Sequence, residues 1–453
     1  MSDLAGELTA LWSQSGGVAG VARSVNAGVL DADRLERAAL AAVSARNPRL
    51  GALTTVFDPP IASSPSDTRA LGLEGVPFVV KENMDVAGWT THACARWLAD
   101  GPSATRHADV IRTALTAGAR LIGRGNMPEL ATAAVTVGDA FMSARTPIDP
   151  SRTAGGSSGG TAAAVAAGMA LFGIGTDTGG SVTIPAAFTG LYGYRPTVGV
   201  YPTTGVVPFA ATFDTPGLLC RTAADLAYVH AELAPHRAEA GNARNGQLRV
   251  AVVGGVFDRN LDPEVREGRD RLVDRLRAFG ATIRSLDLPG SSELASAIRT
   301  VAWFEAARAW RGLVDARPGT SPSEGVALRI ESGLAIPQDR YRSALAERAR
   351  WILTVSQALT EVDVLLSPTV AVVPPRIDGL DTESATVEIT RLSYPWCFAG
   401  LPSISVPVGA SMVAPGGASG LPVGVQLTAR AGDDDLLIGL AVRLERTHAA
   451  RPE

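Results

Sequence analysis

The spacing of apolar and polar residues predicts helices that alternate with short strands. Helical spacing marks the segments 3–14, 31–46, 107–118, 161–169, 263–279, 301–316, 341–359 and 435–446. Short apolar runs that predict buried strands lie at 76–80, 119–123, 171–176, 248–253, 363–366, 404–408 and 423–427. This alternation is typical of a mainly parallel or mixed sheet covered by helices.

The length of 453 residues alone would suggest two or three domains. A polar stretch at 236–247 is a candidate linker between two halves, but an expected strand follows it directly. Large α/β enzymes often form one unit at this size, so length does not decide the domain count.

Charge and composition exclude several classes of partner. Lys and Arg (41) nearly balance Asp and Glu (45), and no basic stripe is present, so a nucleic-acid partner is not expected. The N-terminus lacks the pattern of a signal peptide, and the longest apolar stretch, 162–175, is too short to span a membrane. Three widely spaced cysteines, Cys94, Cys220 and Cys397, predict buried free thiols rather than disulfides. We therefore expect a cytoplasmic protein without a membrane partner.

Two loops rich in glycine and serine, 155–160 and 176–181, flank one short apolar segment. Glycine at this density lets main-chain N–H groups approach a ligand closely. A serine that closes such a loop can be a nucleophile, and the N–H groups can stabilise an oxyanion. Lys81 follows the apolar run 76–80, upstream of both loops. This arrangement indicates amide or ester hydrolysis without histidine.

A lysine at its ordinary pKa is protonated at neutral pH and cannot accept a proton. Burial disfavours the charged form and lowers the pKa, and the apolar run before Lys81 predicts such burial. Glu82 and Asp85 would oppose this shift if their side chains point inward. The five histidines, His92, His107, His230, His236 and His448, are scattered and have no context of a base or a metal ligand.

The run from Asp149 to Thr197 resembles the amidase signature family, and shorter matches extend over almost the whole chain. The matching motifs are GGSSGG at 155–160, TDTGGS at 176–181, GVPFVVKEN at 75–83, NMPE at 126–129, DTPG at 214–217, AGLP at 399–402 and LPVGVQ at 421–426. The signature is long and far more specific than a single glycine-rich loop.

The resemblance implies a Ser-Ser-Lys triad. Ser181 matches the nucleophile that is acylated, Ser157 the bridging serine and Lys81 the base. It also implies a cis peptide bond between Gly156 and Ser157. The expected oxyanion donors are the main-chain N–H groups of Thr178, Gly179, Gly180 and Ser181.

Most of the expected architecture is also inferred from this resemblance. We predict one α/β/α domain over residues 1–453 around a large mixed sheet, with N-terminal helices at about 1–50 and a signature core at about 75–220. The segments 125–145, 290–350 and 392–398 are expected to wall the substrate pocket. Trp303, Trp310, Trp351 and Trp396 are expected in the core, with Trp396 also a candidate for the pocket.

Two further polar residues near the serines are expected to stabilise the loops and not to take part in the chemistry. Asp177 is expected to satisfy backbone N–H groups near the nucleophile, and Ser158 to hydrogen-bond within its own loop. The chain departs from the family at Thr183, where many relatives carry arginine. This departure removes a cation from the site and favours a neutral substrate.

The favoured function is hydrolysis of a small, neutral carboxamide through a seryl acyl-enzyme, without a metal or an organic cofactor. One alternative is the glutamine-hydrolysing subunit of a tRNA-dependent amidotransferase, and another is a catalytically silent ligand-binding relative. The segment 201–217 resembles the free-standing branch of the family more than the amidotransferase branch. The expected partner is the small amide itself, and a homodimer is left open.

Overall fold

The computed structural model describes residues 4–62, 72–138, 140–234, 247–408 and 420–449. Most of the candidate linker at 236–247 lies outside these residues. Eleven strands of the described chain form one sheet. They are β1 (Leu53–Ile61), β2 (Pro77–Lys81), β3 (Arg120–Gly125), β4 (Phe172–Asp177), β5 (Tyr192–Arg195), β6 (Thr215–Cys220), β7 (Arg249–Val253), β8 (Thr282–Leu286), β9 (Val364–Pro368), β10 (Ser403–Pro407) and β11 (Gly424–Thr428).

The strand order is β1-β3-β2-β4-β6-β5-β10-β11-β9-β7-β8. Strand β2 runs parallel to both β3 and β4, and β7 runs parallel to β8 and β9. The intervening pairs from β4 to β9 are antiparallel. The large mixed sheet expected from the sequence is therefore confirmed.

Fourteen helices of the described chain pack around this sheet. They are α1 (Leu4–Ser15), α2 (Val18–Asn26), α3 (Ala32–Leu50), α4 (Asp109–Thr116), α5 (Gly159–Ala166), α6 (Thr183–Thr189), α7 (Ala223–Leu233), α8 (Pro263–Ala278), α9 (Leu294–Asp315), α10 (Glu324–Leu334), α11 (Gln338–Glu361), α12 (Thr382–Thr390), α13 (Tyr394–Ala399) and α14 (Asp434–Ala449). Asp31 caps α3 by accepting the N–H of Asp33 at 3.0 Å, which satisfies one of the free donors of the first turn.

The core of the molecule lies on both faces of the sheet. Every residue of β2, β4, β6, β9, β10 and β11 is buried, so helices or loops cover these strands on both sides. The edge strand β8 is mostly half-exposed. The three cysteines are buried free thiols, as their spacing predicts.

The regularly spaced helices are found near their predicted positions, but several short elements are not predicted. The missed elements are α2, α6, α7, α10, α12, α13, β1, β5, β6 and β8. Helix α6 is buried at all seven positions, so its sequence has no polar face and no helical period. In the described part of the chain, no helix is long and apolar enough to cross a membrane.

Candidate active site

The two glycine-rich loops meet Lys81 at one edge of the sheet. Strands β2 and β4 are parallel neighbours, with Val80 opposite Ile174. Lys81, the last residue of β2, therefore lies near Thr176, the residue before the end of β4. Ser157 lies just before α5, which packs against the same two strands.

The Lys81 ammonium is completely buried and lies between two hydroxyl groups. Its Nζ is 2.6 Å from Ser157 Oγ and 2.7 Å from Thr176 Oγ1, with the Thr176 carbonyl at 3.5 Å. Asn83 Nδ2 donates to the same Thr176 hydroxyl at 3.1 Å. The amine is therefore fixed in position and in direct contact with the predicted bridging serine.

Burial lowers the pKa of Lys81 to about 7, although Asp177, Asp214 and Cys94 act in the opposite direction. Glu82 does not oppose this shift, because its carboxylate turns away from the site to form an ion pair with Arg124 at 2.9 Å. The neutral amine is therefore well populated near neutral pH.

Ser181 closes the second loop and lines a cavity. Its carbonyl accepts the N–H of Ser158 at 3.1 Å, which joins the two loops. The Ser158 hydroxyl bonds to both the carbonyl and the N–H of Thr176, so it reaches β4 instead of staying within its own loop as expected. The peptide bond between Gly156 and Ser157 is cis, as the resemblance implies.

Asp177 organises the second glycine-rich loop from within the core. Its carboxylate accepts the N–H groups of Gly180 at 2.9 Å and Val182 at 2.7 Å, and it pairs with the fully buried Arg195 at 3.0 Å. These bonds agree with the structural role expected for this residue. They also fix the direction of the N–H groups in the turn before α6.

The expectation of four oxyanion donors needs one correction. The N–H of Gly180 points to the Asp177 carboxylate, and the carbonyl of Gly179 accepts the Ser393 hydroxyl at 2.7 Å. The peptide between the two glycines is thus held on both sides and presents no free donor. In the described chain, no loop or side-chain acceptor takes up the N–H groups of Thr178, Gly179 or Ser181.

A cavity of about 680 Å³ opens beside Ser181. The predicted walls contribute residues 131–134, 291–332 and 394–395, but the segments 256–260 and 383–391 also line it and were not predicted. Trp303 lines the cavity, contrary to its expected place in the core. Trp396 is fully buried and stacks on Phe257 with ring centroids 4.8 Å apart.

Sequence reasoning missed Asn83, Thr176, Ser393 and Tyr394. Thr176 belongs to the quoted motif, and only its distance to Lys81 shows its importance. Ser393 and Tyr394 lie more than 200 positions after the loop that they contact, without any local signal. Among the described residues, no group of three His, Cys, Asp or Glu side chains could hold a metal ion.

Comparison with known proteins decides the family. The amidase family model matches residues 35–438. The chain belongs to the amidase family. It is 34% identical to a Glutamyl-tRNA(Gln) amidotransferase subunit from Deinococcus deserti, covering 94% of this chain and 95% of the relative. The identity to the corresponding subunit from Symbiobacterium thermophilum is 30%, covering 94% and 96%.

A solved amidase structure superposes on this amidase-family chain with a TM-score of 0.82 and 29% identity. The match covers 95% of this chain and 99% of the other. Fold and family therefore agree, and the chain is an enzyme of a family that hydrolyses C–N bonds.

Proposed function

We propose that the chain hydrolyses an amide through an acyl-enzyme on Ser181, with Ser157 as the bridging hydroxyl and Lys81 as the base. The observation that carries this proposal is the 2.6 Å contact between the buried Lys81 amine and Ser157. A serine hydroxyl is a poor nucleophile until a base takes its proton. Burial provides that base by lowering the pKa of the amine to about 7.

In the first half of the reaction, the Ser181 oxygen attacks the amide carbon. Its proton passes to Ser157, whose own proton passes to the neutral Lys81. When the C–N bond breaks, the leaving amine takes a proton back through Ser157. Water then attacks the acyl-enzyme by the same route, and the carboxylate is released.

The N–H groups of Thr178, Gly179 and Ser181 are the proposed oxyanion donors. Gly180 is left out because its N–H is committed to Asp177. The loop around these donors is fixed by the Asp177 carboxylate before substrate binds, so little reorganisation accompanies the reaction.

The first candidate substrate is glutamine, hydrolysed as a source of ammonia for an amidotransferase. The relatives from Deinococcus deserti and Symbiobacterium thermophilum are each one subunit of a Glutamyl-tRNA(Gln) amidotransferase, and each matches over nearly its whole length. This similarity favours glutamine over the free small amide expected from the sequence. A partner subunit would then receive the ammonia.

A free carboxamide is the second candidate, supported by two features of the chain. The cavity of about 680 Å³ has the scale of sites for drug-sized ligands. Thr183 lies two positions after Ser181 and is uncharged, so no cation from this position lies beside the proposed nucleophile. In both cases we propose a single cytoplasmic domain that needs no cofactor.

The nucleophile is tested with a serine-directed fluorophosphonate probe. Ser181→Ala should lose labelling completely, because no other serine is placed on the proposed relay as the attacking group. Ser291→Ala is the matched control, since Ser291 lines the same cavity and should not be acylated. Labelling of Ser181→Ala at the wild-type rate would refute the assignment.

The substrate is tested by ammonia release from glutamine and from a panel of aliphatic and aryl amides. The glutamine candidate predicts turnover of glutamine and recovery of a second subunit from the native host. The free-amide candidate predicts turnover of a panel amide by the isolated chain, with glutamine inert. If the fluorophosphonate probe labels the protein but the protein turns over neither glutamine nor any amide of the panel, both candidates are contradicted.

A further inference from the structure

The cavity beside Ser181 carries more positive than negative side chains. Its charged lining consists of Arg259, Arg299, Arg329, Arg391, Glu383 and Glu388. This excess contrasts with the whole chain, whose net charge is −4. Positive charge concentrated in a cavity attracts anionic ligands more strongly than the same charge spread over a surface.

Two of these arginines are engaged in holding the cavity wall. Arg391 donates to Glu388 at 2.7 Å and to the carbonyls of Val256 at 2.8 Å and Arg259 at 2.5 Å. Arg329 donates to the Gly325 carbonyl at 3.1 Å. Arg391 therefore fixes the loop that carries Arg259.

The guanidinium groups of Arg259 and Arg299 are different. Both side chains are exposed, and neither guanidinium has a hydrogen bond or an ion pair with any residue that the structure describes. Arg259 is presented by the loop that Arg391 fixes, and Arg299 by the second turn of α9. A guanidinium offers paired donors that match a carboxylate, so two free guanidiniums in one cavity suit an acidic ligand.

We propose that Arg259 and Arg299 form a subsite for a carboxylate carried by the substrate away from the scissile amide. The inference rests on the proposed role of Ser181 as nucleophile. It revises the neutral substrate expected from Thr183, because that residue removes a cation only next to the nucleophile. In this proposal the substrate carboxylate is recognised by residues of the cavity wall, which lie outside the signature core.

The test uses two fluorophosphonate probes of equal length, one ending in a carboxylate and the other in a carboxamide. In the wild type the carboxylate probe should label Ser181 about tenfold faster at low salt, with a smaller ratio at high salt. In the double variant Arg259→Gln, Arg299→Gln the ratio should fall to about one, because the attraction is removed.

Arg311→Gln is the matched control. Arg311 is exposed on the same helix as Arg299 and pairs with Asp315 at 2.7 Å, outside the cavity lining. This variant should keep the wild-type ratio. An unchanged ratio in the double variant, or equal rates for both probes in the wild type, would overturn the subsite and leave the nucleophile intact.

Binding to the Ser181→Ala variant tests the subsite without chemistry. The carboxylate-tailed amide that corresponds to the probe should bind about tenfold more weakly, by calorimetry, once Arg259 and Arg299 are also replaced. Equal dissociation constants would refute the subsite by this route. Absence of labelling by both probes in the wild type would instead refute the proposed nucleophile, so the two failures are distinguishable.

Discussion

At the scale of single residues, the proposed chemistry depends on the surroundings of the Lys81 amine. Thr176 Oγ1 accepts a hydrogen bond from Asn83 and lies 2.7 Å from Lys81. Lys81 Nζ donates to this hydroxyl, so the two bonds at Thr176 Oγ1 hold the amine in place. Because neutral Lys81 has a single lone pair, a Thr176 hydroxyl that accepts leaves that lone pair available for the proton of Ser157.

The rate should therefore depend on pH through Lys81. Below pH 7 the amine is protonated and cannot accept the proton of Ser157, so kcat/KM should rise with pH through an inflection near 7. Lys81→Met should reduce kcat by about 10²-fold or more.

The pH profile is measured as kcat/KM on a turned-over amide or as the rate of phosphonate labelling. Ser291→Ala should keep the same inflection because Ser291 lines the cavity without contacting Lys81. A wild-type inflection near the ordinary lysine value of about 10.4 would contradict the burial argument.

At the scale of elements, helix α5 determines how closely the first loop approaches the sheet. Its residues are almost all glycine, alanine or threonine, and seven of the eight are buried. A Cβ at Gly160 would collide with the Ala52 carbonyl and with the backbone of Asn126. The small side chains thus permit the close contact that brings Ser157 to Lys81.

Gly160→Ala should destabilise the protein by about 1–3 kcal/mol, as overpacking of a tight core does, and it should slow labelling of Ser181. Gly312→Ala is the control, since a Cβ there meets nothing within 4 Å on a helix of the same protein. It should stabilise by about 0.5–1 kcal/mol. Denaturant unfolding measures both, and equal effects would contradict the packing argument.

The same elements show how far the sequence could predict the structure. Helices with one polar face, such as α8 and α11, have a period that the sequence displays. Strand β6 is buried at every position and lacks any alternation, so only its pairing with β4 and β5 identifies it. Periodicity therefore predicted the outer elements better than the central ones.

The candidate site was predictable to the extent that its residues lie within the loop motifs. The motif supplied Lys81, Ser157 and Ser181 as candidates, but not the direction of each backbone N–H. Gly180 adopts a φ of +107° and turns its N–H to Asp177, and no residue pattern encodes that direction. The contact from Ser393 depends on tertiary structure alone.

At the scale of the whole molecule, both ends of the chain meet at α7. The buried Asp225 carboxylate accepts the indole N–H of Trp12 at 2.8 Å and the backbone N–H of Val18 at 2.6 Å. From the other end, Glu445 on α14 accepts the N–H of Ala223 at 2.9 Å. These contacts support the proposal that the chain folds as one domain.

Asp225→Ala should lower the free energy of unfolding by about 2–4 kcal/mol, because it leaves buried donors from two N-terminal helices without an acceptor. The unfolding of wild type should follow one transition by both circular dichroism and tryptophan fluorescence. Two separate transitions, with the first confined to the N-terminal helices, would contradict the single-domain proposal.

The peptide between Gly179 and Gly180 has a consequence for control of the enzyme. Asp177 holds its N–H and Ser393 holds its carbonyl, so rotating the peptide would break both bonds at once. We therefore expect the loop to keep this arrangement whether or not a partner is bound. A partner that controls the enzyme would then be expected to act on the cavity walls, such as the segments 256–260 and 383–391.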